Sequence, residues 1–193
     1  MTRLPFIPND NLSPERKAIW ESVTNGKRGD AARFINDEGG LVGPFNAAMH
    51  APVTGQRIVE LGEALRFSTE VDNRLLELAV STVGAHWRSN FEWYAHSALA
   101  IRAGVSEEAI AAIGRGEDPQ QLPDDEQAVY NLTRGLLSSG RVSDEIYAAA
   151  HSHVGDQGMV ELVQLVGYYC LVSLTLNTFQ VDLPPGETPA WPY

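Results

Sequence analysis

The stretch MVELVQLVGYYCLVSLTLNTF, residues 159–179, constrains the fold more than any other part of the chain. Its side chains are apolar on nearly every face of a helix. Such a segment is expected to be the most buried element of a small protein, or to turn one face to a subunit interface. By length it could just cross a bilayer. Glu161, Gln164 and Asn177, with Gly167 and Ser173 near the middle, argue instead for a buried helix, because polar groups at bilayer depth are costly. A helix of this kind needs other helices packed around it.

The rest of the chain supplies them. Ser13-Pro14-Glu15 reads as a helix start, with an N-cap, a proline at the first helical position and an acid in the first turn, and this helix is expected to end near Asn25. Glycines at 26, 29, 39, 40 and 43 mark residues 26–44 as a loop with a helical turn at 30–36. A short helix follows Pro44 and a longer one covers about 53–67. The next begins near Glu70 and carries Leu75, Leu76, Ala79, Val80 and Val83 at helical spacing. Further helices are expected at 89–103, ending on Gly104, at 106–114, at 124–139 behind a capping box of Asp124 and Gln127, at 143–155 and at 158–180. Short β-branched runs fall inside helical periodicity rather than alternating. The reading is all-α, a bundle of about eight helices in one domain over 1–193, with an N-terminal helix and loop in 1–42 and a proline-rich extended tail in 182–193.

Charge narrows the partners. Fourteen Lys and Arg against 25 Asp and Glu leave a formal charge of −11, which disfavours nucleic acid and anionic membranes and points to a small-molecule partner. Cys170 is the one cysteine, so an intramolecular disulfide and a cysteine-based zinc cluster are both excluded. MTRLPFIPNDNLSPER lacks the apolar core of a signal peptide, and the expected compartment is the cytoplasm.

Chemistry concentrates in residues 77–104, ELAVSTVGAHWRSNFEWYAHSALAIRAG, where Glu77, His86, Arg88, Glu92 and His96 lie among Trp87, Trp93 and Tyr94. Glu92 and His96 are four apart and so share a helix face, an arrangement that fixes an imidazole and suits it to proton transfer. An isolated pair of this kind is more often a solvated surface contact; the clustering favours a site. Glu77 lies in line with Ser81 and Gly84, whose small size would leave room beside the carboxylate for a pocket wall. Arg88 could neutralise Glu92 or hold a substrate carboxylate. His86 sits at the junction of two helices, and Asn46 and His50 share one face of the short helix after Pro44. Metal binding is a weaker reading, since the spacing is not H-E-x-x-H. Ser89 lacks a G-x-S-x-G setting, and the glycines at 39–43 lack a phosphate-loop lysine.

GPFNAAMHAP, the 77–104 stretch with its continuation VSEEAIAAI, and GMVELVQLVGYYCLVSLTLNTF together resemble the carboxymuconolactone decarboxylase family, which shares its all-helical fold with the alkylhydroperoxidase AhpD. The likeness covers about residues 43–181. In the redox members of that family a C-x-x-C-x-x-x-H motif carries peroxidase activity, with a glutamate twelve residues before the first cysteine. Aligning the histidine on His96 places Ser89 and Glu92 at the cysteine positions and Glu77 at the glutamate position. The resemblance therefore implies a relative without the dithiol, a cofactor-independent lyase of aromatic-compound catabolism acting on a small carboxylated lactone or related ring compound. In that reading His96 is the proton donor, oriented by Glu92 or Glu77. His86 or Arg88 binds a carboxylate or the lactone oxygen, Trp87, Trp93 and Tyr94 wall the pocket, and Asn46 and His50 contribute from a second helix. An isomerase, a cyclase or hydrolase on the same scaffold, or a non-catalytic binding protein, are the alternatives. The resemblance also implies a homo-oligomer, a trimer or hexamer.

Overall fold

The computed structural model describes residues 2–28 and 30–192. Among these residues the regular structure is helical: α1 (Pro14–Thr24), α2 (Pro44–His50), α3 (Pro52–Phe67), α4 (Asn73–His86), α5 (Asn90–Ala103), α6 (Glu107–Arg115), α7 (Asp124–Ser139) and α8 (Asp144–Thr178), with short 3-10 turns at Asn9–Asn11 and Ala31–Phe34. A single antiparallel bridge, Ile35 with Leu41, is the one β-type pairing among them. The chain divides into two compact units, one running up to Ser68 and including Thr175–Asp182, the other comprising Thr69–Leu174 with the residues from Leu183 onward.

In the first unit α1, α2 and α3 enclose Ile19, Val23, Leu41, Ala48, Met49 and Val59. Ser13 caps α1 by accepting a hydrogen bond from the Arg16 amide, as its sequence implies. Helices α2 and α3 approach closely at Gly55, where a β-carbon would lie 2.2 Å from the Ala48 carbonyl oxygen, so only glycine fits. The lead-in is tied to the same unit: the Asn46 amide donates to the Pro5 carbonyl and accepts from the Ile7 amide, and His50 Nε2 lies 2.9 Å from the same Pro5 oxygen.

The second unit is built on the antiparallel pair α4 and α5, against which α6 and α7 pack. Its apolar cluster joins Leu78, Ala100, Val105, Ala109, Ile110, Ile113 and Tyr130, with Trp93 against it. Several boundaries differ from the sequence reading for identifiable reasons. Helix α4 starts at Asn73 rather than near Glu70, because Asp72 is the cap and accepts from the Arg74 amide at 2.8 Å. Helix α6 runs to Arg115, since the left-handed residue that ends it is Gly116, φ 75°, and not Gly114. Gly114 has a packing role: a β-carbon there would sit 2.6 Å from the Trp93 ring. The Asp124–Gln127 capping box does not form. Pro123 takes the N-cap position and the acids that follow are used otherwise.

They form an ion-pair network. Arg74, at the start of α4, bonds Asp125 at 2.5 Å and also Glu126, whose side chain is buried. The expected break before the last helix is present as Gly155, whose φ of 65° and ψ of −174° interrupt α8. Beyond it α8 buries Met159, Leu162, Leu165, Val166, Tyr169, Val172 and Leu176, while Val160, Val163, Leu171 and Leu174 stay exposed.

Removing the cation from the Arg74 network strands a buried carboxylate, so Arg74→Met is expected to cost about 3 kcal/mol in urea denaturation near neutral pH. Arg74 holds the Asp125 carboxyl below its usual range. A folded pKa beneath the unfolded one gives stability that is complete above the unfolded value and drains away as pH falls through the folded value. The gap between wild type and variant is therefore expected to narrow below about pH 4.

Candidate functional site

The turn between α4 and α5 sets the geometry of the site. Trp87 closes α4, Arg88 takes a left-handed conformation with φ 47°, and the Ser89 amide donates to the Gly84 carbonyl at 2.9 Å. So tight a reversal folds α5 back along α4, and it brings Glu77 and His96, nine or ten residues to either side of Trp87, face to face. The first turn of α5 packs directly on Gly84, with Glu92 Cβ 3.4 Å and the Trp93 amide nitrogen 3.5 Å from where a β-carbon would be, an ordinary contact distance. The room that the sequence reading left for a pocket beside Ser81 and Gly84 is thus taken at Gly84 by the first turn of α5.

At the seam His96 Nδ1 lies 2.6 Å from Glu77 Oε2, and His96 Nε2 lies 3.6 Å from Glu92 Oε2. All three side chains are buried, at 6, 4 and 4% exposure for His96, Glu77 and Glu92. With Nδ1–H donating to Glu77, Nε2 becomes the working nitrogen. The distance to Glu92 is too long for a hydrogen bond and short enough for strong charge coupling. The edge of Tyr169, from α8, closes one side of the imidazole at a ring separation of 5.0 Å. The hydroxyls of Ser81, Ser89 and Ser173 are buried and find no hydrogen-bond partner among the described residues. Ser81 is one turn from Glu77 on α4, Ser173 one turn from Tyr169 on α8, and Ser89 three residues before Glu92. These three hydroxyls are uncommitted among the described residues.

The other residues singled out from the sequence fall elsewhere. Arg88 is exposed and pairs with neither glutamate; the i,i+4 relation to Glu92 fails because Arg88 belongs to the left-handed turn and not to the helix. His86 is largely exposed at the end of α4, edge-on to Trp87, and the partial desolvation of its ring, together with nearby Arg134, moves its pKa below the usual histidine value. Trp87 donates its indole N–H to Cys170 Sγ at 3.3 Å. Trp93 packs on the apolar cluster and on Trp191, Tyr94 is 40% exposed, and Asn46 and His50 hold the lead-in of the first unit. The C-terminal tail is fastened here as well, by paired hydrogen bonds of 2.9 Å between the Asn90 amide and the backbone of Trp191. Two open grooves, of about 490 Å³ around Tyr130 and Arg134 and about 340 Å³ beside Glu60 and Glu63, do not include the cluster.

Sequence reasoning did not single out Tyr169. Its place on the buried stripe of the last helix, in step with Leu162, Leu165 and Val172, carried the signal for burial but not for contact with His96.

No protein-family model matches the chain, and no curated protein matches it either. Solved structures do. An uncharacterised peroxidase-related protein from Ralstonia eutropha JMP134, with an alkylhydroperoxidase AhpD core, superposes with a TM-score of 0.73 at 13% identity, covering 95% of this chain and 93% of that one. The fold is AhpD-like. An uncharacterised peroxidase-related protein from Silicibacter sp. TM1040 matches with a TM-score of 0.68 at 12% identity, over 94 and 91% of the two chains. The debrominase Bmp8, in a cysteine-to-alanine variant bound to 2,3,4-tribromopyrrole, matches with a TM-score of 0.70 at 10% identity, over 96 and 93%. At such identities the AhpD-like likeness is one of fold alone.

The buried His96–Glu77 bond makes a definite stability prediction. Glu77→Gln keeps an acceptor for Nδ1–H and is expected to cost about 1 kcal/mol, whereas Glu77→Ala leaves the buried imidazole unsatisfied and is expected to cost about 3 kcal/mol. Urea unfolding of the two variants side by side checks the difference.

Proposed function

We propose that the chain is a cofactor-independent acid–base enzyme on an AhpD-like fold, with His96 moving a proton to or from a substrate carbon. The observation that carries this reading is the imidazole held between two buried carboxylates, since a fold gains nothing in stability from three buried ionisable groups that apolar side chains could replace. Glu77 fixes the tautomer and offsets positive charge on the ring as it takes up a proton. Glu92, across 3.6 Å from Nε2, supplies the second carboxylate of a relay. Serine and glutamate at positions 89 and 92 leave no dithiol, so a peroxidase reaction through paired thiols has no nucleophile here.

Within this class, the resemblance of the sequence to carboxymuconolactone decarboxylases favours loss of CO₂ from a small carboxylated lactone. The departing carboxylate leaves an electron pair that the ring delocalises as a dienolate, and Nε2–H of His96 returns a proton to carbon. Burial assists, because charge is dispersed as CO₂ departs. Uncommitted hydroxyls such as those of Ser81 and Ser173 are suited to donate to the developing oxyanion. One observation favours a second reading, an isomerase that shifts a proton between carbons of an uncharged substrate. Carboxylates outnumber cations at the cluster, and Arg88 is exposed rather than turned to it.

A panel of carboxylated lactones and uncharged enolisable lactones, followed in D₂O by mass spectrometry, separates the two. Decarboxylation gives loss of CO₂ with one solvent deuterium in the product, and isomerisation gives deuterium without loss of mass as CO₂. His96→Ala is expected to lower either rate by about 10²- to 10⁴-fold with the helical circular dichroism unchanged. A folded His96→Ala protein turning over at the wild-type rate removes His96 from the chemistry.

A further inference from the structure

One face of α7 has the spacing of a packing seam and the chemistry of a binding surface. Gln127, Tyr130, Asn131, Arg134, Gly135 and Ser138 recur at offsets of 0, 3, 4, 7, 8 and 11, yet four of the six carry polar or charged side chains where a buried stripe would be apolar. Together with Asp118 and Gln121 of the loop before α7 and Ile146 of α8 they line the groove of about 490 Å³, which lies within the second unit and is of a size to take a small molecule. Its polar groups are held ready. The Gln127 side-chain amide donates to Asn131 Oδ1 at 2.9 Å, which leaves Gln127 Oε1 as an acceptor and Asn131 Nδ2 as a donor. The Tyr130 hydroxyl donates to Asp118 Oδ1 at 2.8 Å. Burial and then this bond raise the phenol's pKa, so it stays protonated, and Asp118 keeps its second oxygen for another donor. Arg134 shares the groove with Asp118, but its guanidinium enters no ion pair among the described residues, in a chain of net charge −11.

We infer that this groove is a ligand site, separate from the His96 cluster, for a polyhydroxylated carboxylate of the sugar-acid class. Arg134 takes the carboxylate, which suits the planar fork of a guanidinium. Asn131 Nδ2, Gln127 Oε1 and the second Asp118 oxygen take hydroxyls, each of which both donates and accepts. Other ligands use the groove less fully. A simple carboxylate engages Arg134 and leaves the amides idle, and a neutral sugar leaves the guanidinium without a counter-charge. An ammonium group finds one acid already engaged by Tyr130 and, in the same groove, the repelling charge of Arg134. No residue of the groove belongs to the His96 cluster, so the inference does not depend on the proposed chemistry. His86 supplies an internal reporter, because partial desolvation of its ring and the charge of Arg134 hold its pKa low. A carboxylate paired with Arg134 cancels much of that charge and lets the His86 pKa rise.

Titration of the full isotope-labelled chain with glucuronate, followed by NMR, tests it. Saturable shifts of the Asn131 and Gln127 side-chain amides are expected with a Kd of about 1 mM, and glucose and acetate are each expected to bind at least about 10-fold more weakly. Arg134 is exposed, so Arg134→Gln is expected to keep its helical circular dichroism while glucuronate binding falls to the level of glucose. Asn131→Ala is expected to weaken glucuronate and glucose alike. The His86 pKa, followed through its ring protons, is expected to rise with glucuronate in the wild type, and in Arg134→Gln to be raised from the outset and indifferent to glucuronate. Four results overturn the inference: no saturable shift up to about 50 mM glucuronate, acetate or glucose binding as tightly as glucuronate, a folded Arg134→Gln protein that binds glucuronate as the wild type does, or shifts that centre on His96. The last would make the sugar acid a ligand of the buried cluster instead.

Discussion

The hydrogen bond of 2.6 Å between His96 and Glu77 joins the two central helices of the second unit across ground that apolar residues would ordinarily occupy. Burying an imidazole and two carboxylates costs several kcal/mol per charge that is not well paired. The surroundings offset this cost in specific ways. The left-handed backbone at Arg88 holds the reversal, and the apolar cluster around Leu78, Ile110 and Ile113 stabilises the helices that carry the charged seam. The buried stripe of α5 is in consequence its charged one: Glu92, His96 and Ala100 point inward.

The AhpD-like fold has structural neighbours described as peroxidase-related and as a debrominase, and in this chain it carries the buried cluster of Glu77, Glu92 and His96, with Ser89 and Glu92 at the positions of the dithiol motif. In this chain the helical hairpin presents Glu77 from α4 to His96 on α5. Paired cysteines before such a histidine would supply thiolate nucleophiles; Ser89 and Glu92 supply none.

Much of this was legible in the sequence. The all-helical class followed from spacing, and several helix ends followed from a local cap: Ser13 before α1, Gly104 after α5, Gly155 within α8. The ends set by Asp72 before α4 and Gly116 after α6 were equally local but had a competing residue of the same kind or character two positions away, and the start of α7 failed because the deciding partner was distant. Asp125 and Glu126 looked like the first turn of a capped helix, but Arg74 claims them from more than fifty residues away. The site followed the same rule. Glu92 and His96 could be paired by counting along one helix, and Glu77 needed the family alignment to be joined to them. Arg88 was misplaced because a left-handed residue at the turn breaks the helical count. Tyr169 was missed because its contact with His96 is set by tertiary packing alone.

The fastening of the tail bears on how the molecule opens. Among the described residues, Asn90 donates one hydrogen bond to the Trp191 backbone and accepts another from it, and Trp93 meets the Trp191 ring, in a proline-rich segment that has no helix of its own, against the many apolar contacts that hold α4 and α5 together. Segments so lightly held detach with a free energy well below that of global unfolding. When this one detaches it uncovers Asn90, in the first turn of the helix that bears Glu92 and His96. Solvent would then reach the backbone at that end of α5 first, which makes the tail the boundary of a small cooperative unit of opening whose hydrogen exchange is uncoupled from that of the core.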